Sequence, residues 1–158
     1  MGPSHPRMDK EHPIVDPTTD AAVAERIADS FARQGLMTHL GARLGSVGPG
    51  EVHIHLPMSP VVTQQHGYFH AGATGAIVDS AGGYAAATLL GDDRDVLTVE
   101  YKLNLLAPAI GDELEAIGTV IRSGRTLTVC RLEVHARSGA DRTPVASGQQ
   151  TVMAVERR

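Results

Sequence analysis

The sequence predicts an α+β domain in which a curved antiparallel sheet wraps around one long apolar helix. The order of elements is a helix, two strands, a loop, a central helix and a run of strands, which favours an antiparallel sheet over alternating strand–helix–strand units. The central segment, residues 71–90, is small and apolar almost all round, and such a helix must be buried on most sides. With 158 residues, the chain can bury one such core.

The composition excludes several function classes. The chain has 14 Lys and Arg residues against 18 Asp and Glu, with no dense basic stripe to neutralise nucleic-acid phosphates. Its one cysteine, Cys130, excludes an internal disulfide framework, indicates a reducing compartment and reads as core filling in an alternating strand. No apolar run reaches the length of a membrane span or a secretory signal. We therefore expect a cytoplasmic protein without a nucleic-acid or membrane partner.

The first helix follows an N-terminal tail. Residues 1–18 carry four prolines among charges and no apolar period, which predicts a mobile tail before a single domain at 19–158. Thr19 and Asp20 have short polar side chains that can cap a helix. Until Gly35 stops the helix, apolar residues recur every four positions, at Val23, Ile27 and Phe31.

Two strands are predicted next, at residues 36–47 and 51–57, joined by a Gly-Pro-Gly turn at 48–50. The alternation in the second strand places His53 and His55 on one face. Two histidines on one face could bind a metal, but there is no cysteine and there are no matching acids nearby in the sequence. We therefore predict no metal site. A loop at residues 58–69 leads to the central helix.

The rest of the chain is predicted to be β-structure. Val99, Tyr101, Leu103 and Leu105 alternate with polar residues that begin at Thr98, which is typical of a half-buried strand. Two further strands, at residues 113–121 and 127–136, flank a hairpin turn at 123–125. A polar loop at 138–143 precedes the last strand, at 145–155.

The central helix contains three interior glycines, Gly75, Gly82 and Gly83. Each costs roughly 1 kcal/mol relative to alanine in an exposed helix, and close approach of a wrapped sheet would explain them. A flexible Gly/Ala loop is the alternative, but several larger apolar residues disfavour it, namely Ile77, Val78, Tyr84, Leu89 and Leu90.

One carboxylate, Asp79, lies within this apolar helix. An unpaired buried charge is costly, so a structural aspartate would need a partner or access to water. Isolated acids in apolar clefts are also good candidates for a base or a nucleophile. Both interpretations remain open at this point, and we favour the functional one.

The string from Gln64 to Gly72 (QQHGYFHAG), followed by Asp79 to Gly83 (DSAGG), resembles the PaaI-type (phenylacetate-degradation) hotdog thioesterases. Their pattern is Asn or Gln, two residues, Gly, two residues, His-Gly-Gly, and then an acid inside the helix. The similarity extends over residues 36–155, including the segments at 105–109 and 122–125. It implies a hotdog fold, hydrolysis of an aryl- or medium-chain acyl-CoA, and no cofactor beyond the coenzyme A of the substrate. It also implies a homodimer, with a dimer of dimers expected.

The resemblance also implies roles for single residues. Asp79 would be the base or nucleophile, Gln64 would orient the water or leaving group, and Thr98 would help to hold the nucleophilic water. The free N–H groups at the helix start, at Ala71 and Gly72, can polarise the thioester carbonyl. The family has glycine where Ala71 stands here, but alanine keeps the N–H.

The spacing of these groups predicts a shared site. Ala71 and Asp79 are eight residues apart, or roughly 12 Å along a helix. A carboxylate cannot span that distance to a carbonyl held at its own helix start. An antiparallel helix from a second subunit could bring its Asp79 alongside, which predicts a composite site across a homodimer.

The remaining candidates for substrate contact have structural alternatives. His70 could be a base, but we favour a helix-entry role, while His66 and Gly67 are expected near the substrate entrance. Tyr68 and Phe69 would line the acyl pocket or staple the helix start. Arg122 and Arg125 would contact coenzyme A phosphates or form a solvated turn. A non-catalytic acyl-CoA-binding module is the competing function, and Gln64 and Asp79 argue against it.

Overall fold

The protein is represented by a computed structural model, which describes residues 13–16 and 18–157. Its helices are α1 Ala21–Ala32, α2 Gly35–Leu40 and α3 Ala71–Ala87, with a single 3-10 turn at Pro60–Val62. Its strands are β1 Arg43–Gly48, β2 Glu51–Pro57, β3 Arg94–Leu105, β4 Glu113–Ser123, β5 Leu127–Ser138 and β6 Asp141–Glu156. They form one antiparallel sheet in the order β1-β2-β4-β5-β6-β3. The predicted α+β class is confirmed.

Helix α3 packs against the sheet so closely that glycine is required at the contact. A Cβ placed on Gly118 of β4 would overlap the backbone of Ala81 and Gly82 in α3. Ile77, Val78 and Ala81 are fully buried in the same core. Within the helix, Gly82 serves close approach, because a Cβ there would overlap the side chain of Gln150, whereas a Cβ on Gly83 would make only an ordinary contact. The segment is helical, so a flexible loop is excluded.

Helix α1 covers the C-terminal half of α3. Its first turn is capped by Asp20, whose carboxylate accepts from the Ala22 amide at 2.9 Å. Phe31 packs against Tyr84 of α3 with ring centroids 6.1 Å apart. Arg26 donates to the carbonyl of Ala87 at 3.2 Å, and so helps to satisfy the last turn of α3.

The strand predicted for residues 36–47 is wrong in its first half. Residues Gly35–Leu40 form the short helix α2, which Gly41 ends in the left-handed conformation (φ 73°). Met37 is 1% exposed and anchors this turn in the core. A short apolar run does not distinguish strand from helix by its pattern, and here tertiary packing selects the helix.

Other boundaries differ by a few residues. Helix α3 ends at Ala87, because Leu89 bonds to the carbonyl three residues earlier and the last turn tightens. The polar loop predicted at 138–143 is a tight hairpin turn in which Ser138 pairs with Asp141. Of the tail predicted for 1–18, residues 1–12 and 17 lie outside the described residues. Residues 14 and 16 make backbone hydrogen bonds to Val47 of β1.

Strand β3 contains a bulge that changes which residues face the helix. Thr98 pairs with Val152 and Glu100 pairs with Thr151, so Val99 is the extra residue. The bulge moves the alternation by one position, so that Thr98 and Tyr101 both face α3.

β3 is an edge strand of the sheet, and most of its apolar side chains remain exposed. Of the four residues predicted to form its buried side, Leu103 is partly buried and packs against the core, while the prediction is wrong within a single chain for Val99, Tyr101 and Leu105. The exposed fractions are 58% for Leu97, 57% for Val99, 46% for Tyr101 and 58% for Leu105.

Candidate active site

The carboxylate of Asp79, in the third turn of α3, is held from one side. Its Oδ1 accepts from the hydroxyl of Thr98 at 2.8 Å and from the side-chain amide of Gln150 at 2.6 Å. No donor among the described residues contacts its other oxygen, Oδ2. Because Asp79 is only partly buried, Oδ2 is available to water or substrate. The carboxylate is thus fixed in direction while one oxygen remains free to react.

Two features of the sheet bring these donors together. The bulge at Val99 turns Thr98 towards α3, and β6 carries Gln150 beside β3, opposite Tyr101. Gln150 is fully buried, and the sequence analysis missed it. Every second residue of β6 faces inward, and Gln150 stands in this series with Ala146, Gly148 and Val152. An amide among such small or apolar inward-facing residues is the sequence signal that could have identified it.

Asp79 and Thr98 lie on the wall of a cleft of about 460 Å³ between α1, the second half of α3 and the start of β3. A hydrogen-bonded group of side chains forms part of its lining. Gln34 donates to the hydroxyl of Tyr84 at 2.8 Å, and Ser80 donates to Gln34 at 3.2 Å. Besides Asp79, the charged residues around the cleft are Arg26, Arg33, Asp95 and Arg157.

The first N–H groups of α3 differ in their partners. His70 is the N-cap, and its Nδ1 accepts from the Gly72 amide at 2.8 Å. The Ala71 amide has no partner in the described part of the chain. No residue other than glycine has a positive φ there, so alanine fits at position 71 without strain. Of the two N–H groups predicted to polarise a carbonyl, only that of Ala71 is therefore unpaired.

The loop before α3 is a tight turn. Gln64 closes it with two backbone hydrogen bonds, one from Gly67 at 3.0 Å and one to Tyr68 at 2.9 Å. Gly67 has a φ of 82°, which favours glycine. The side-chain oxygen of Gln64 accepts from the His66 amide within the same turn.

The aromatic pair in this loop divides between core and surface. Phe69 is 4% exposed and joins the hydrophobic core, whereas Tyr68 and His66 are exposed. Phe69 therefore packs beneath the helix start, as the staple alternative predicts, and does not line the cleft.

The predicted site residues fall into two groups in one chain. Asp79 and Thr98 meet at the cleft, but Gln64, Ala71 and Gly72 are absent from its lining. They lie near the start of α3, roughly 12 Å along the helix axis from Asp79.

The two arginines that were predicted to contact coenzyme A phosphates also lie away from the cleft. Arg122 and Arg125 are exposed at the β4–β5 hairpin and do not line the cleft. The arginines at the cleft are different ones, Arg26, Arg33 and Arg157.

The two histidines of β2 do have acidic partners, in contrast to the expectation from the sequence. His53 lies 3.0 Å from Glu115, and His55 lies 2.8 Å from Glu113, because β4 pairs with β2. Arg142 also bonds to Glu115, at 2.9 Å. Burial would raise the pKa of Glu115, but hydrogen bonds and charges from Arg142 and His53 outweigh it and lower that pKa. Within residues 13–16 and 18–157, no group of three or more metal-ligating side chains is found.

Two further findings concern the whole domain. Cys130 is fully buried, as predicted for a core residue, and burial raises the pKa of its thiol to about 11. None of the helices in the described residues is long and apolar enough to span a membrane.

Residues 66–142 match the model of the thioesterase superfamily. A curated protein of Halobacterium salinarum, provisionally named an esterase, is 30% identical over 139 residues, which cover 82% of this chain and 91% of that protein. The crystal structure of a thioesterase family protein from Silicibacter pomeroyi is 41% identical with a TM-score of 0.83, covering 85% of this chain and 99% of that one.

The PaaI protein of the E. coli phenylacetic acid degradation operon has the same fold. Its TM-score is 0.75 at 17% identity, covering 84% of this chain and 93% of that chain. The likeness to PaaI shows the fold, and the matches to the Halobacterium salinarum and Silicibacter pomeroyi proteins show the family. The chain belongs to the thioesterase superfamily and has the hotdog fold of the PaaI-like thioesterases.

Proposed function

We propose that the protein hydrolyses an aryl- or medium-chain acyl-CoA thioester to the free acid and coenzyme A. Membership of the thioesterase superfamily supports thioester hydrolysis in general. The proposal that the substrate is such an acyl-CoA thioester rests mainly on the carboxylate of Asp79. It is held through Oδ1 and faces a cleft of about 460 Å³ with Oδ2 free.

The free oxygen of Asp79 allows two routes. As a general base, Oδ2 takes a proton from water, the water oxygen attacks the thioester carbonyl, and the C–S bond breaks as that proton passes to the departing coenzyme A sulfur. As a nucleophile, Oδ2 attacks the carbonyl itself and expels the coenzyme A thiolate to form an anhydride, which water then cleaves to the free acid and the Asp79 carboxylate. The hydroxyl hydrogen of Thr98 is engaged by Asp79, so Thr98 acts here by orienting the carboxylate. Its oxygen can also accept a hydrogen bond from the nucleophilic water, the role that the family resemblance implies.

The amide of Ala71 would polarise the thioester carbonyl. It has no hydrogen-bond partner among residues 13–16 and 18–157, and it stands at the positive end of the α3 dipole. The side-chain NH₂ of Gln64 lies in the preceding turn and would contact the water or the departing thiolate. Ala71 would thus polarise the carbonyl and Gln64 would contact the water or the thiolate, and the Asp79 carboxylate alone can do neither.

These groups would meet across a homodimer. The separation of roughly 12 Å along α3 prevents one chain from joining its own Ala71 and Asp79 at one carbonyl. Edge strand β3 exposes three apolar side chains, those of Leu97, Val99 and Tyr101. An exposed apolar edge of this kind favours association with a second copy of the chain. Antiparallel pairing would then place Asp79 of one subunit beside Ala71 of the other. A dimer of dimers remains our expectation for the full assembly.

Coenzyme A enters only as part of the substrate in this proposal. Its phosphates require cations, and Arg122 and Arg125 at the hairpin are the proposed contacts. The lone unpaired Cys130 fits a reducing compartment, so we place the reaction in the cytoplasm.

The test is release of free thiol from a panel of acyl-CoAs, including benzoyl-, phenylacetyl- and octanoyl-CoA. We expect turnover by the wild type, a fall to a small residual rate in Asp79→Ala, and wild-type rates in Asp112→Ala. Asp112 is a suitable control because it is an exposed carboxylate outside the cleft. If the wild type binds coenzyme A but cleaves no thioester, the protein is a binding module and the proposal fails.

A further inference from the structure

Gln150 is a polar residue in an apolar place. Its side chain is fully buried in the centre of the sheet, where β6 lies between β5 and β3. Its direct neighbours across the sheet are Cys130 and Tyr101. A buried amide in such a position requires hydrogen-bond partners, and its partners show what it does.

All partners of the Gln150 amide belong to the candidate active site. The NH₂ group donates to Oδ1 of Asp79 at 2.6 Å, to the main-chain oxygen of Asp79 at 3.1 Å and to the hydroxyl of Thr98 at 3.0 Å. The opposite orientation of the amide would bring two acceptors, Oε1 and Oδ1, against each other. The donor orientation is therefore the one that an ionised carboxylate selects.

The other end of the same amide has no partner. Oε1 of Gln150 is buried and makes no hydrogen bond in the described part of the chain. It lies against Gly82, where any Cβ would overlap it. A buried unpaired oxygen destabilises the folded state, and an apolar side chain of equal length would avoid that loss. Packing alone therefore does not explain a glutamine here.

From these contacts we infer that Gln150 is a positioning residue for the reaction, which fixes the Asp79 carboxylate from the side opposite to solvent. This inference rests on the proposed role of Asp79. Gln150 has no exposed surface, so it cannot touch substrate. By holding Oδ1 together with Thr98, it keeps Oδ2 directed into the cleft.

The test compares Gln150→Met with Gln149→Met. Methionine has a similar length and volume but cannot donate. Gln149 is the adjacent exposed residue and points to the other face of the sheet, which makes it a matched control. For Gln150→Met we expect kcat to fall by up to roughly 100-fold with KM unchanged, because the carboxylate is misplaced while the binding surface is intact. The melting temperature should change little, since removal of the unpaired oxygen offsets the loss of the hydrogen bonds to Asp79. Gln149→Met should match the wild type in all three quantities.

A double-mutant cycle separates positioning from general structural damage. In the Asp79→Ala background, Gln150→Met should leave the residual rate unchanged, because the group that it positions is gone. A further loss in that background, or wild-type kcat in the single variant, would overturn the inference.

A measurement without turnover keeps the inference testable if the proposed function fails. In a crystal structure of Gln150→Met, the Asp79 carboxylate should occupy more than one rotamer. A single wild-type rotamer there would contradict the positioning role. Failure of the proposed function is recognised separately, by a wild-type protein that cleaves no acyl-CoA.

Discussion

The hydroxyl of Thr98 donates to Oδ1 of Asp79 at 2.8 Å, and this bond joins the edge strand β3 to the central helix. It exists because the extra residue at Val99 turns Thr98 towards α3 while Tyr101 also faces the helix. Bulges beside functional sites often redirect a side chain in this way. The bulge therefore connects the fold directly to the candidate chemistry.

Loss of this bond should reduce catalysis. Thr98→Val keeps the shape of the side chain but removes the donor. Hydrogen bonds to charged groups contribute about 1.5–3 kcal/mol, so we expect kcat to fall by roughly 10- to 100-fold. Thr98→Ser keeps the hydroxyl and should stay close to wild type. Equal kcat in Thr98→Val and the wild type, measured by thiol release, would show that the bond does not serve the reaction.

The amide of Ala71 can be removed without disturbing the helix. Ala71 is the first residue of α3, and proline is well tolerated at that position. His70 already has the extended conformation that a residue before proline prefers. Ala71→Pro lacks only the proposed oxyanion donor, so kcat should fall by roughly 100- to 1000-fold.

Ala71→Gly is the matched control, because it restores the N–H and supplies the residue typical of the family. It should keep wild-type activity, and circular dichroism should show equal helix content in both variants. An active Ala71→Pro would assign carbonyl polarisation to another group.

Gly82 should be required for packing beside the site. A Cβ there would overlap Oε1 of Gln150 and lie 2.8 Å from Leu132, so Gly82→Ala should lower the free energy of unfolding by about 1–3 kcal/mol. Gly83 is the control, since its Cβ would meet only Val96, at an ordinary distance of 3.7 Å. Gly83→Ala should be neutral or stabilising by up to about 1 kcal/mol, because alanine is the better helix former. Urea unfolding compares the two, and equal effects would be inconsistent with this packing.

The ion pair between Arg142 and Glu115 should make stability depend on pH. The pKa of Glu115 is lowered in the folded state, so its contribution is complete above the ordinary value and is lost as pH falls through the lowered one. Arg142→Gln should therefore lower the free energy of unfolding by about 1 kcal/mol at neutral pH, since Arg142 is partly exposed. The difference from wild type should vanish in acid.

Arg131→Gln, an exposed arginine on β5, is the control for loss of a positive charge. Its stability should follow the wild type at every pH in urea titrations. A deficit in Arg142→Gln that persists unchanged in strong acid would mean that Glu115 is not the partner concerned.

Much of the fold could be predicted because local pattern and tertiary packing agree. The apolar, glycine-rich α3 is such a case, since its close contact with Gly118 is what its composition indicates. Helix α2 shows the limit, because the apolar run around Met37 fits either a strand or a helix. Asp79 was identified from the helix pattern and the family resemblance together, and Thr98 from the resemblance alone.

Gln150 could not be connected to Asp79 from the sequence. The two are 71 positions apart, and their contact depends on the pairing of β6 with β3 and on the bulge at Val99. A bulge has no reliable sequence signal in this strand, and without it Thr98 would face away from α3. The contact between Gln150 and Asp79 was therefore missed because it depends on the pairing of strands that are distant in the sequence, which no local pattern encodes.

The central claim is that Asp79 of one subunit acts with Ala71 of another. Co-expression of Asp79→Ala with Ala71→Pro tests it directly, because the mixed dimer would contain one intact site although each variant alone has none. With random pairing, about a quarter of wild-type thiol release should return. Co-expressed protein that is as inactive as each variant alone, with mixed dimers demonstrated by differently tagged chains, would contradict the composite site.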